Sequence, residues 1–400
     1  MNILKKIYYR VFQGVIYLVF PFLGLRKPEL IVGEGTVLEI PRLVREKDLG
    51  KPMIVTSKDL INLKLLDSLF AKLNEEKIPY YVYDEVAPNP TIAMIEAGVV
   101  KFNDNNCTSL IAFGGGSPID CAKGIGARIA RPRKEVSKMK GILKIQKKLP
   151  PIIAVPTTAG TGSEATLATV ITDEATHDKY PINDPNLVPK YAILDPVLTV
   201  GLPKGITSTT GMDALTHAVE AYIGKGNTKE TKDMAIKTVQ LVYENLLTAY
   251  SEGNNIKARE NMLLAAHYGG IAFTRAYVGY VHAIAHSLGG MYGIPHGLAN
   301  AIILPYVLEY YGETIYKKLA ELATVVGIVG ISDQEKAERF IQWVKDMNAS
   351  MKIPSKISEI KEEDIELMAK RALKEANPLY PVPKFMGMLE ITQIYKKLMG

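Results

Sequence analysis

The chain of 400 residues is 47% hydrophobic and 22% charged, with 32 Gly and 23 Pro. That is too apolar and mixed for disorder and too long for one core, so two domains are expected. Two cysteines, Cys107 and Cys121, exclude a disulfide framework and a cysteine-only structural zinc site, and read as small packing residues. The net charge of +6 concentrates in residues 5–27 and 128–148. Neither segment interleaves aromatics in a recognition pattern and no nucleic-acid motif occurs, so a nucleic-acid partner is not expected.

Residues 1–27 combine a basic start with an apolar run from Gly14 to Leu25. No small-residue cleavage site follows. The run is shorter than the ~20 residues a bilayer span needs, and Pro21 interrupts it. It reads as an amphipathic N-terminal extension, docked on the protein or in peripheral contact with a membrane through residues 1–25. The chain is expected to be cytoplasmic.

From residue 28 to 202, short β-branched or aromatic runs at 53–56, 80–83, 109–113, 152–155 and 191–194 alternate with helical lengths. This predicts an α/β domain with a mainly parallel sheet. Residues 170–172 and 179–182 read as a small hairpin, and residues 128–148, with nine Lys/Arg against Glu135, as a solvated basic face. Beyond Leu202-Pro203 the pattern turns helical, at 213–223, 231–250, 257–273 and 335–347, so residues 203–400 are expected to form an all-α domain.

The strand at 109–113 runs into Gly114-Gly115-Gly116-Ser117-Pro118-Ile119-Asp120 and then a helical stretch. Three glycines permit positive φ and close backbone approach. Ser117 is expected to cap the helix with Pro118 in its first turn, and the exposed N–H groups suit an anion. A second loop, residues 156–164, carries Thr157, Thr158, Thr161, Ser163 and two glycines after another strand. Two such loops at the carboxyl ends of parallel strands favour a dinucleotide or another phosphorylated cofactor.

Five of the six histidines fall in the third quarter of the chain. Asp213 and His217 stand one helical turn apart, as do His282 and His286, which sit among small and apolar residues. Gly289, Gly290, Gly293 and Pro295 are expected to end that helix and turn the chain back to present His296. One Asp with two or three His makes a mixed oxygen/nitrogen site for Fe(II) or Zn(II). Spacing leaves open which of His282 and His286 is the ligand. His177 and His267 are given no role at the site.

The ordered set GGGSPIDCAK, PTTAGTGSEAT, GMDALTHAVEAY and HAIAHSLGGMYGIPHGLANAIILP resembles the iron-containing (group III) alcohol dehydrogenase family from about Pro28 to the C-terminus. The resemblance implies a dinucleotide-binding domain followed by a helical metal and substrate domain. It implies metal ligation by Asp213, His217, His282 and His296, with His286 as the non-ligand histidine near nicotinamide and substrate. It carries cofactor contacts onto Asn89, Gly116, Ser117, Asp120, Thr157, Thr158, Thr161, Val170 and Lys179. Gly114 and Gly115 join them as part of the phosphate turn.

The implied reaction is reversible hydride transfer between NAD or NADP and a small alcohol, aldehyde or ketone, in a protein that is expected to be a homodimer. Rival readings are a glycerol or polyol dehydrogenase, a dehydroquinate-synthase-like lyase on the same scaffold, and a non-catalytic metal- and nucleotide-binding module. Many NAD-preferring members carry an Asp where this chain has Ser57, followed by Lys58. Losing the acid removes repulsion of a 2′-phosphate, which predicts that NADP(H) is accepted. Arg275 and Tyr277 stand before His282 where relatives often have Asn and Gly; the two bulky polar groups would narrow the pocket or bind an anionic substituent, or Arg275 would form a structural ion pair.

Overall fold

The computed structural model describes residues 2–19, 24, 26–176 and 178–400. Pro21 and His177 lie outside the described residues. Two compact units emerge: one joins Gly24–Gly201 with Asn254–Leu263, and the other joins Met1–Leu23, Leu202–Gly253 and Leu264–Gly400.

The first unit holds nine strands among its described residues: β1 (Glu29–Val32), β2 (Pro52–Val55), β3 (Tyr81–Tyr83), β4 (Ser109–Gly114), β5 (Gly141–Ile142), β6 (Ile152–Pro156), β7 (Ala168–Asp173), β8 (Asp178–Asn183) and β9 (Tyr191–Leu194). Six form a parallel sheet in the order β1-β9-β6-β4-β2-β3. β2, β4, β6 and β9 are buried throughout, as continuous apolar runs in a sheet covered on both faces should be. Alternation divides their side chains between two cores. Met53, Val55, Leu110, Ala112, Ile152 and Ala154 pack with Ile119 and Ile125 of the helix Gly116–Ala130. Ile54, Ile111, Phe113, Ile153, Val155 and Ile193 face the other side with Ile40 and Leu69.

β3 lies on one side of β2 and β4 on the other, so the strand order reverses between β2 and β4, which is where such sheets bind ligands beyond their carboxyl ends. The edge strand β1 was not expected: four residues beside an apolar extension carry no alternation, and pairing with β9 defines them. The hairpin β7–β8 is antiparallel, longer than expected at both ends, and β5 adds to it in parallel. The stretch 128–148 is less solvated than its charge suggests. Arg128 pairs with Glu96 at 2.7 Å, Lys134 donates to the Lys144 carbonyl, and Lys140 pairs with Asp178. These cations fasten the outside of a loop whose Val136, Met139 and Ile145 are buried in the core.

Residues 202–400 contain no strand, only an isolated bridge between Ile357 and Met399. The helix Lys204–Ile223 starts well before the expected residue 213. Its polar opening hides the periodicity, because Ser208, Thr209 and Thr210 turn their hydroxyls back to carbonyls of the preceding turn. It packs against Lys229–Ser251 and His296–Tyr311, while Tyr280–Tyr292 packs against His296–Tyr311 and Ile365–Ala376. Gly289 and Gly290 do not end Tyr280–Tyr292. They lie inside it, and Gly293 closes it in the left-handed conformation at φ 70°. Pro295 then caps the next helix, which begins on His296 itself.

Candidate metal and dinucleotide sites

In the helical unit, Asp213, His217, His282 and His296 each offer one ligand atom, and these atoms lie within 4.8 Å of one another. Asp213, His217 and His282 are buried and His296 is half-buried. Two helices deliver them from turns that face each other, and the break at Gly293-Ile294-Pro295 brings in the fourth. The sequence left His282 and His286 unresolved as ligands; the geometry groups His282 with the cluster.

Asn300, one turn beyond His296 and fully buried, marks the focus of these lone pairs. Its Nδ2 lies 2.7 Å from Asp213 Oδ1, 3.2 Å from His282 Nε2 and 3.1 Å from His296 Nε2. Its Oδ1 is buried without a hydrogen-bond partner. A carboxylate oxygen and two imidazole nitrogens thus aim at one electropositive group. A divalent Fe or Zn ion matches that donor set.

Behind His282 stands Glu220, which the sequence reading passed over. The Nδ1–H of His282 donates to Glu220 Oε2 at 2.6 Å. The same carboxylate accepts from the backbone N–H groups of Gly279 at 2.9 Å and Val281 at 2.8 Å. This fixes the tautomer that leaves Nε2 free to act as an acceptor. Glu220 shares a helical stripe with Asp213 and His217, so its spacing was a usable signal.

His286 stacks on His296 with ring centroids 5.0 Å apart. Its Nδ1 lies 2.7 Å from Glu375 Oε1, and that oxygen also accepts from the Tyr380 hydroxyl at 2.7 Å. Burial and the neighbouring Glu375 hold the Tyr380 hydroxyl well above its usual pKa. No local pattern announces Glu375 or Tyr380, which only folding brings to His286. Arg275 forms an ion pair with Glu230, the structural reading among those considered for it. Tyr277 holds φ 61°, and burial raises its hydroxyl to about 12.

The sheet unit assembles most of the residues read as cofactor contacts at the carboxyl ends of β2, β3, β4 and β6. The helix after β4 starts on Gly116 with Gly115 as its N-cap, and that cap makes no side-chain bond. Ser117 is therefore not the cap. It sits in the first turn, and its hydroxyl accepts the N–H of Asn89 at 3.2 Å. Lys179 donates to Asn89 Oδ1 at 2.7 Å. Asn89 itself is held at φ 59°.

The glycines are needed where the two loops meet. A Cβ on Gly115 would fall 3.2 Å from Thr158 Oγ1, and one on Gly116 would fall 2.8 Å from Thr161 Cγ2. Gly114, at φ 146°, accepts the Thr157 N–H through its carbonyl at 3.0 Å. Asp120 faces protein partners. Its carboxylate accepts from Ser163 Oγ at 2.7 Å and from the Val170 N–H at 3.0 Å. Burial raises its pKa.

Lys123, unremarked in the sequence, is fully buried. Its Nζ donates to oxygens of Ser163, Thr166 and Ala168 at 2.7–3.1 Å. Burial draws its pKa down to about 8, with Asp120 pulling the other way. Ser57 caps the short helix Lys58–Asn62 after β2, accepting the Leu60 N–H at 3.4 Å.

Comparison with known proteins agrees with this geometry. Residues 27–196 match the family model for iron-containing alcohol dehydrogenase, and residues 207–399 match its C-terminal domain. The chain belongs to the iron-containing alcohol dehydrogenase family. Among relatives, it is 40% identical to 1,3-propanediol dehydrogenase of Citrobacter freundii, over 87% of this chain and 91% of that one. It is 36% identical to the NAD-dependent methanol dehydrogenase of Bacillus methanolicus, over 92% and 97%. The solved alcohol dehydrogenase of Oenococcus oeni superposes with a TM-score of 0.89 at 37% identity, covering 94% of this chain and 99% of that one. As a member of this dehydrogenase family the protein is an oxidoreductase, an iron-type alcohol dehydrogenase/aldehyde reductase.

Proposed function

We propose that this family member interconverts a small alcohol with its aldehyde or ketone, using NAD(H) or NADP(H) and one Fe(II), with Zn(II) as the second candidate. The convergence of Asp213, His217, His282 and His296 within 4.8 Å carries the reading. These four side chains would hold the ion, with Glu220 fixing the His282 tautomer. When bound, the ion supplies Lewis acidity toward a substrate oxygen and the nicotinamide gives or takes up hydride.

The remaining work falls to the chain itself. The N–H groups at Gly116 and Ser117, with the hydroxyls of Thr158 and Thr161, bind the pyrophosphate. Asn89 and Lys179 meet ribose or phosphate, while Asp120 and Thr157 keep the two loops together and Val170 ties Asp120 to β7. Residues 28–202 thereby serve as the dinucleotide domain and residues 203–400 as the metal and substrate domain. In the oxidative direction the alcohol loses hydride from carbon and a proton from oxygen. His286 takes that proton at Nε2, since Nδ1 is occupied by Glu375. The protein acts as a cytoplasmic homodimer whose N-terminal extension makes peripheral contact with a membrane.

Metal analysis of the purified protein, coupled to an alcohol and aldehyde panel with both cofactors, tests this reading. Stoichiometric metal and steady-state NAD(P)H oxidation by an aldehyde are expected. Binding of metal and nucleotide without turnover on any substrate would overturn it. His286→Ala should slow turnover while the metal stays bound; loss of the metal would make His286 a ligand instead.

A further inference from the structure

The helix Ile3–Val19 turns its hydrogen-bonding side chains toward the protein and its apolar ones toward water. Arg10 Nη2 donates to the carbonyls of Val382 at 2.8 Å and Pro383 at 3.2 Å. Its guanidinium lies 4.1 Å from the centroid of Phe385. Gln13 Nε2 donates to the carbonyls of Pro378 and Tyr380, both at 2.8 Å, and the Tyr9 ring meets Phe385 edge-on. These bonds fix the rotation of the helix. On the opposite side Ile3, Leu4, Ile7, Val11, Val15 and Leu18 share one face at helical spacing and remain 54–70% exposed. No described residue of the helix is buried. A continuous apolar face held outward in this way is a contact surface.

Charge selects the occupant. Lys5 and Lys6 are exposed in the first turn of the helix, Arg26 and Lys27 follow it, and no acidic residue precedes Glu29. Lys384 adds a cation to the docking loop. Such a surface is complementary to anionic lipid headgroups, while pairing with a second copy would bring like charges together. With 17 residues and three cations the helix is not suited to spanning, and no described helix is long and apolar enough to cross a membrane. Both family matches start at residue 27 or later, so this helix lies outside the matched fold.

We propose that the outward face of Ile3–Val19 lies in the interfacial plane of an anionic bilayer, its apolar stripe among the acyl chains and Lys5 and Lys6 at the headgroups. The inference rests on reading the extension as a peripheral membrane contact and is independent of the redox chemistry. Flotation of the full-length holoprotein tests it, using vesicles of phosphatidylcholine alone or mixed with phosphatidylglycerol. Flotation with the mixed vesicles is expected, at least about tenfold weaker on the neutral ones and reversed by high salt. The Ile7→Asp/Val11→Asp variant should stay in solution with its turnover unchanged, and Lys5→Glu/Lys6→Glu should lose about tenfold in binding. Wild-type protein that never floats, equal binding to neutral vesicles, or a double aspartate variant that still floats would each overturn the proposal. So would wild-type protein that stays in solution while the aspartate variant has half its particle mass, which would make the face an interface between copies. Turnover measured without vesicles reports on the dehydrogenase reading separately.

Discussion

The Glu220 carboxylate grips the Nδ1–H of His282 at 2.6 Å, from the same helix that carries Asp213 and His217. That helix therefore provides two members of the cluster and orients a third. Replacing Glu220 by Gln keeps the volume but places an amide N–H group either against the Val281 N–H or against the Gly279 N–H and the imidazole together. Affinity for Fe(II) or Zn(II) should fall about 10–100-fold, read by competition with a chelator, while far-UV circular dichroism stays unchanged.

Glu375 and Tyr380 orient His286 without belonging to the metal cluster. Glu375→Gln should lower kcat by roughly 10–100-fold, with bound metal and cofactor KM unaltered. Tyr380→Phe should be milder, because the carboxylate still reaches Nδ1. Loss of metal from Glu375→Gln would count against the positioning role.

At Gly116 a Cβ would press within 2.8 Å of Thr161 Cγ2. Gly116→Ala should separate the two phosphate loops and raise cofactor KM roughly tenfold. Metal content, set in the other unit, should not change. Steady-state titration of NADH and NADPH with metal analysis on the same preparation checks this.

Lys123 ties the helix Gly116–Ala130 to the loop after β6 and the start of β7, its three N–H donors shared among five oxygens. In Lys123→Met these oxygens lose their donor while remaining buried. A loss of ~3 kcal/mol or more is expected, measured by denaturant unfolding, together with weakened nucleotide binding.

Ser57 leaves the end of β2 without an acid. Ser57→Asp should raise KM for NADPH and leave KM for NADH largely unchanged, because the new carboxylate would repel a 2′-phosphate. An unchanged NADPH/NADH ratio would mean that the 2′ position of the ribose lies elsewhere.

The parallel strands were legible because a buried strand is a short apolar run between turn residues. Spacing of i, i+4 paired Asp213 with His217 and His282 with His286, and only the folded geometry groups His282 and His296, and not His286, with the first pair. Glu220 and Asn300 continue those same stripes and were readable in principle. Glu375 and Tyr380 were not, since only the packing of Tyr280–Tyr292 on Ile365–Ala376 brings them to His286. The helix start at Gly116 escaped for a different reason: glycines carry no side-chain signal, so the serine beside them attracted the role of cap. The edge strand β1 owes its existence to its neighbour rather than to its own four residues.

Gln13 holds the carbonyl of Tyr380, and Tyr380 in turn holds the carboxylate that steadies His286. The helix Ile3–Val19 therefore reaches the His286 imidazole through a relay at Tyr380, whose backbone carbonyl accepts from Gln13 and whose hydroxyl donates to Glu375. A purification tag, fusion or truncation that lifts Gln13 from its seat would slacken this relay, so preparations shortened at the amino end would understate the enzyme's turnover.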